Sequence, residues 1–299
     1  MIRLSNIERF ATHDGPGIRT TLFFKGCHMH CPWCANPETW NFEIELLHDP
    51  KKCTQCARCQ IVCQKQAIKI ENGKWRLQKK QCDQCRKCEE ACLNDAITFS
   101  GKEYSIEELQ SIVAKDRDFY EESHGGITLS GGEVMLQLEE VKTLLKKLKQ
   151  ENYHIALETT GSYPLSSLKQ VVEDVDLFLM DFKHLDLEKL EQITGANGAE
   201  VIENFQYLAK HYPEKVILRM PVIPRFNADR PTIEAVLDFA REYGIQEVDL
   251  LPFHPLGANK WQQLDRLYLY QEEPMMDKEQ LKPYIELGKK KGVFVKVGG

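Results

Sequence analysis

The sequence predicts an α/β protein: a partial (βα)6 TIM-like barrel interrupted by a small inserted domain. Strand-like and helix-like segments alternate regularly beyond Gly101. A stretch of different texture, residues 50–100, precedes that alternation and is dense in Cys, Gln and Lys. Polar segments also fall just after each strand-like run. Repeated strand–helix units imply a parallel sheet wound in one hand, and in a barrel the C-terminal strand ends share the active-site face. A doubly wound sheet is the competing architecture. The division that follows is a core formed by residues 1–49 and 101–299, with 50–100 inserted.

Ile18–Phe24 is β-branched and aromatic and reads as the first strand of the series. Ser105-Ile-Glu-Glu108 is a capping box, opening a helix to about Lys115. Ile127–Ser130 is strand-like, and Leu138–Gln150 places Val141, Leu144, Leu145 and Leu148 on one helical face. Strands are expected at Ile155–Glu158, Leu177–Asp181, Val216–Pro221, Glu247–Pro252 and Val293–Val297. Helices are expected near Ser166–Val172 and over Ala199–His211, Thr232–Tyr243 and Lys278–Lys290. The segments after the strands are the cysteines beyond Phe24, Gly131-Gly132-Glu133, Thr159-Thr160-Gly161, Asp181-Phe182-Lys183, Val222-Ile223-Pro224 and Phe253-His254.

Composition narrows the function classes. The 299 residues are 42% hydrophobic, enough to bury a core. No apolar run of about 18 residues suggests a membrane span, and the first residues lack a signal-peptide core, so a cytoplasmic location is expected. A formal charge of −6 gives no sign of a general nucleic-acid binder. Residues 50–100 nevertheless hold 11 Lys/Arg against 5 Asp/Glu.

All 11 cysteines lie between Cys27 and Cys92, a clustering that points to metal chemistry rather than disulfides. Cys27, Cys31 and Cys34 form CxxxCxxC. Three thiolates can hold three irons of a 4Fe–4S cluster and leave the fourth open to substrate; zinc completed by His28 or His30 is the alternative. Cys53, Cys56, Cys59 and Cys63 repeat the spacing of Cys82, Cys85, Cys88 and Cys92. This is the bacterial ferredoxin run, whose fourth cysteine ligates the other cluster. One set is then Cys53, Cys56, Cys59 and Cys92, and the other Cys82, Cys85, Cys88 and Cys63. Gln64 and Leu93 stand where soluble ferredoxins place proline. Three 4Fe–4S clusters are expected in total.

With Asp14-Gly-Pro-Gly-Ile-Arg19, Phe23-Phe-Lys-Gly26, the CxxxCxxC block, Ser130-Gly-Gly-Glu133, Met180-Asp-Phe-Lys183 and Leu251-Pro-Phe-His-Pro-Leu-Gly257, the chain resembles the glycyl-radical-enzyme activating enzymes. These are the pyruvate formate-lyase activating enzyme-like branch of the radical S-adenosylmethionine (SAM) superfamily. The resemblance implies that SAM chelates the open iron and is cleaved by one electron. The 5′-deoxyadenosyl radical then takes hydrogen from a glycine of a partner enzyme, formate-lyase-like or dehydratase-like. It also implies that Gly131 and Gly132 line the methionine amine, Lys183 lies near its carboxylate, His254 contacts the adenosyl portion and Trp33 packs on adenine. Glu133, Glu158, Asp181 and Arg219 are the remaining expected cofactor contacts. The resemblance leaves room for a monovalent cation near Glu158, Thr159 and Asp181. Glu158 replaces the aspartate of compact members, and Val134 a common proline.

The insert reads as an electron path, with a structural role as the alternative. Its local charge suggests an acidic donor, flavodoxin or ferredoxin. Each four-thiolate cluster carries about −2, leaving the loaded insert near about +2. The competing functions are another peptide-modifying radical SAM activity and a simple ferredoxin-type carrier. The carrier leaves the third cysteine group and the barrel-like sequence unexplained.

Overall fold

The computed structural model describes residues 1–298 of the chain. Its strands are β1 (Ile2–Ala11), β2 (Arg19–Phe24), β3 (Glu45–His48), β4 (Ile68–Glu71), β5 (Lys74–Leu77), β6 (Ile97–Ser100), β7 (Lys102–Tyr104), β8 (Gly126–Gly131), β9 (Ile155–Thr159), β10 (Leu177–Asp181), β11 (Val216–Val222), β12 (Glu247–Pro252) and β13 (Phe294–Val297). Nine form one sheet in the order β13-β12-β11-β10-β9-β8-β2-β1-β7. From β2 to β13 the neighbours are parallel, while β1 runs antiparallel to both β2 and β7. The protein is therefore α/β with a mostly parallel sheet.

The expected strands all form, because runs such as Leu177–Asp181 are apolar enough to be covered on both faces. Helix Leu138–Gln150 turns Val141, Leu144, Leu145 and Leu148 fully inward. Each such burial stabilises by roughly 1.5–3 kcal/mol. The capping box at Ser105 is present: Glu108 N donates to Ser105 Oγ at 3.1 Å, and Ser105 N to the Glu108 carboxylate at 2.7 Å.

Several expectations need correction. The helix from Ser105 ends at Val113, and a second follows at Arg117–Ser123. The expected helix near Ser166–Val172 is only Leu165–Leu168. An additional helix, Leu187–Thr194, starts on the Asp186 cap. β1 was not anticipated, since its outer half is exposed and gives no clean alternation.

Residues between β3 and β6 form a separate small unit. β3 pairs with β6, and β4 with β5. The two cysteine runs fold alike. Left-handed residues occur at Gln55, Ala57 and Gln66, and again at Gln84, Arg86 and Asp95, the offset that separates Cys53 from Cys82. Ala67 N donates to Cys63 Sγ and Ala96 N to Cys92 Sγ, each at 3.2 Å. Among the described residues no helix is long and apolar enough to cross a membrane.

Candidate functional site

β2 delivers the first cysteine group. Beyond Phe24 the chain turns at Gly26, whose φ of 96° favours glycine. Gly26 N donates to Thr39 O at 2.7 Å and Cys27 N to Trp40 O at 3.1 Å, so the segment Pro37–Trp40 braces the loop. Lys25 is fully buried and donates to Glu38 O at 2.7 Å. Ahead of β2, Arg19 donates to Thr128 Oγ1 (2.6 Å), Ile127 O (2.8 Å) and Pro16 O (3.0 Å), tying the Asp14–Gly17 turn to β8. Its burial lowers its pKa to about 10, and it is a structural strut.

Cys27, Cys31 and Cys34 line a cavity of about 660 Å³ at the C-terminal strand ends. Gly131, Gly132, Glu158, Asp181, Lys183, Arg219, His254 and Trp33 line the same cavity. Gly132 has no room for a side chain, because a Cβ there would stand 2.1 Å from Gly26 O. Lys183 donates to Asp181 at 2.9 Å. Burial pulls the Lys183 pKa down, but Asp181 more than offsets this and raises it, so the side chain stays cationic. Arg219 donates to Glu158 Oε1 at 2.6 Å and to His13 O at 3.0 Å, while Ser130 Oγ bonds the other Glu158 oxygen. Burial pushes the Glu158 carboxyl up against the pull of Arg219.

Glu133 is the exception among the expected contacts. It does not line the cavity. Its buried carboxylate accepts from Thr159 Oγ1 (2.8 Å), Thr160 N (3.0 Å) and Thr160 Oγ1 (2.7 Å), bracing the β8 and β9 ends against each other. Trp33 packs one way on Phe226, with centroids 4.6 Å apart. The cavity also takes His13, Asp14, Ser130, Met276 and Lys278. Asp14 and Ser130 lay inside the quoted motifs; nothing in local sequence signalled Met276 or Lys278.

The three thiols fit an iron–sulfur group by their chemistry. Burial raises the pKa of all three, Cys31 to about 12, so they need a positive core to ionise at neutral pH. Among the described residues no three His, Cys, Asp or Glu side chains close on one point as a single metal ion requires. Cubane ligands sit on separate irons and need not do so. In the small unit, Cys53, Cys56, Cys59 and Cys92 line one hollow, and Cys63, Cys82, Cys85 and Cys88 line another.

Residues 13–192 match the family model described as a 4Fe-4S single cluster domain. The chain is 36% identical over 297 residues to the trans-4-hydroxy-L-proline dehydratase activating enzyme of Clostridioides difficile, covering 98% of each chain. It is 32% identical over 302 residues to the 4-hydroxyphenylacetate decarboxylase activating enzyme of Clostridioides difficile strain CD196, covering 98% of this chain and 95% of the relative. This chain belongs to the radical SAM activating enzymes of glycyl radical enzymes. The (2S)-3-sulfopropanediol sulfolyase activating enzyme of Bilophila wadsworthia is a further relative, 38% identical over 267 residues and covering 88% of each chain. Like its family, this activating enzyme binds a 4Fe–4S cluster and SAM, and its protein substrate is a glycyl radical enzyme.

Proposed function

We propose that this activating enzyme holds its SAM-binding cluster on Cys27, Cys31 and Cys34 and serves a dehydratase-like glycyl radical enzyme. The observation that carries the site is the meeting of those cysteines with Gly131-Gly132, Asp181-Lys183 and His254 in one cavity. When bound, the cluster and SAM supply one-electron cleavage of the sulfonium and a 5′-deoxyadenosyl radical. The chain supplies position. Gly131 and Gly132 leave backbone open to a methionine amine, and Asp181 aims the Lys183 ammonium at its carboxylate. His254 and Trp33 stand where an adenosyl group would lie. Both Glu158 oxygens already accept hydrogen bonds, so a monovalent cation would share them with Ser130 and Arg219. The dehydratase-like partner is supported by the 98% overlap with the hydroxyproline dehydratase activator.

The architecture we infer is a partial (βα)6 barrel with a ferredoxin-like insert holding two more 4Fe–4S clusters, in a cytoplasmic protein. The two four-thiol hollows support the interleaved ligand sets. The insert passes electrons from flavodoxin or ferredoxin to the SAM site. Replacing Cys27, Cys31 and Cys34 by Ala tests the assignment. SAM cleavage should vanish while about eight of about twelve irons stay bound. Retained cleavage would overturn the site, and saturation of the native protein near four irons would remove the insert clusters.

A further inference from the structure

The helix Ala258–Gln263 and the residues just after it touch both the unit between β3 and β6 and the segment that follows the CxxxCxxC cysteines. On the loop side, Trp261 Nε1 donates to Cys34 O at 2.9 Å, and Lys260 Nζ donates to Asn36 Oδ1 (2.7 Å) and Glu38 Oε1 (2.6 Å). On the other side, Gln263 Nε2 donates to Asp49 Oδ2 at 3.2 Å. Asp49 is the neck of the small unit, because its N donates to Ala96 O (2.8 Å) and its carbonyl accepts Cys53 N (3.1 Å).

Arg266 touches both sides at once. Nη1 donates to Pro37 O at 2.7 Å, and Nη2 reaches both Glu45 oxygens at 3.2 Å. Its guanidinium lies 5.2 Å from the centre of the Trp40 ring. Trp40 O receives Cys27 N. Glu45 belongs to β3, is 8% exposed, and also pairs with Lys79 of the small unit at 3.7 Å. A planar fork held by a carbonyl and a buried carboxylate is geometrically exacting, and lysine does not reproduce it.

We infer that Arg266, seconded by Gln263, is a positioning residue that fixes the spacing between the Cys27–Cys34 loop and the eight-thiol unit. The inference rests on the relay role given above to the insert. In that transfer one electron leaves a reduced insert cluster and one arrives at the SAM-site cluster. The external one-electron donor is the reductant, and no bond forms or breaks. Neither side chain lines the cavity, so its loss acts first on spacing.

The test uses the fully loaded protein, with Arg266→Gln, Arg266→Lys and Gln263→Ala compared with the native chain. Magnetic coupling between clusters in electron paramagnetic resonance reads spacing directly. Freeze-quenched photoreduction through the donor reads electron arrival at the SAM site. Arg266→Gln should weaken the coupling and slow arrival severalfold, because electron transfer between clusters falls off with their separation. Arg266→Lys should behave like Arg266→Gln, and Gln263→Ala should shift both readouts less, in the same direction. SAM cleavage driven by a small chemical reductant should fall much less than donor-driven electron arrival, because neither Arg266 nor Gln263 lines the cavity. Native coupling and native arrival in both Arg266 variants would overturn the inference. If Arg266→Gln loses iron, Arg266→Lys and Gln263→Ala decide by the same two readouts. A variant with Cys82, Cys85 and Cys88 replaced by Ser separates the premises. Native electron arrival in it removes the relay role, whereas slowed arrival there with native arrival in the Arg266 variants removes only the clamp.

Discussion

Replacing Gly132 with alanine should displace the loop that carries Cys27. The new Cβ would stand 2.1 Å from Gly26 O, 2.8 Å from Gly26 C and 3.2 Å from Thr39 O. All three are backbone atoms, so no side chain can rotate away. Overpacking of this kind costs about 1–3 kcal/mol. Moving Gly26 also threatens the Glu133 N to Gly26 O bond (2.7 Å) and the Gly26 N to Thr39 O bond (2.7 Å), each worth about 1 kcal/mol net. The sum is about 3–5 kcal/mol, or a fall in Tm of roughly 5–8 °C at about 2.1 cal/mol/K of unfolding entropy per residue. Gly292→Ala is the control: φ is 75° and nothing lies within 4 Å, so only backbone strain of about 1–2 kcal/mol is added. Anaerobic thermal melts and 5′-deoxyadenosine formation with a chemical reductant read the two effects. Gly132→Ala should lower SAM cleavage by about 100-fold with the small unit's irons retained, and Gly292→Ala should leave cleavage unchanged. Native melting and native cleavage in Gly132→Ala would refute the close backbone approach and the placement of Cys27 that depends on it.

Burial pushes Asp249 up to about 6, with Arg219 pulling the other way and Glu247 adding to the rise. A raised acid pKa stabilises the fold below its unfolded value of about 3.9 and loses that contribution as pH rises through about 6. Asp249→Asn should therefore gain about 1 kcal/mol relative to native between pH 5 and pH 8, seen as converging or crossing melting temperatures. A pH-independent difference would show that Asp249 ionises normally. On the small unit, Arg86 is committed to Glu89 and Gly101 O, whereas Lys80 and Lys87 are exposed. Lys80→Glu with Lys87→Glu should slow activation driven by an acidic donor, most at low salt, and spare activation by a small reductant. Equal loss by both routes would mean damage to the clusters, and no loss would place the docking face elsewhere.

The chemistry-bearing residues were more legible than the framework that holds them. Cysteine spacing pointed to the two hollows that each gather four cysteines, three from one run and one from the other. The strands β8–β12 were readable because each is a short apolar run ended by a polar turn. β1 was not, because its exposed half, Glu8 to Phe10, breaks alternation at a bulge opposite β2. Glu133 was placed with the cofactor contacts by its neighbours Gly131 and Gly132. Its side chain instead turns inward to Thr159 and Thr160, a direction set by contacts across two strands. Lys278 and Met276 reach the cavity from a segment far along the chain, and the bridge from Arg266 to Pro37 and Glu45 is tertiary throughout.

The most direct measurement follows the hydrogen atom. The reduced, fully loaded protein is mixed with SAM and a dehydratase-like glycyl radical enzyme carrying deuterium on its glycine alpha carbons. Deuterium should appear in 5′-deoxyadenosine, together with a glycyl radical on the partner in equal amount. 5′-Deoxyadenosine formed without partner deuterium, and with no radical on the partner, would contradict abstraction from glycine.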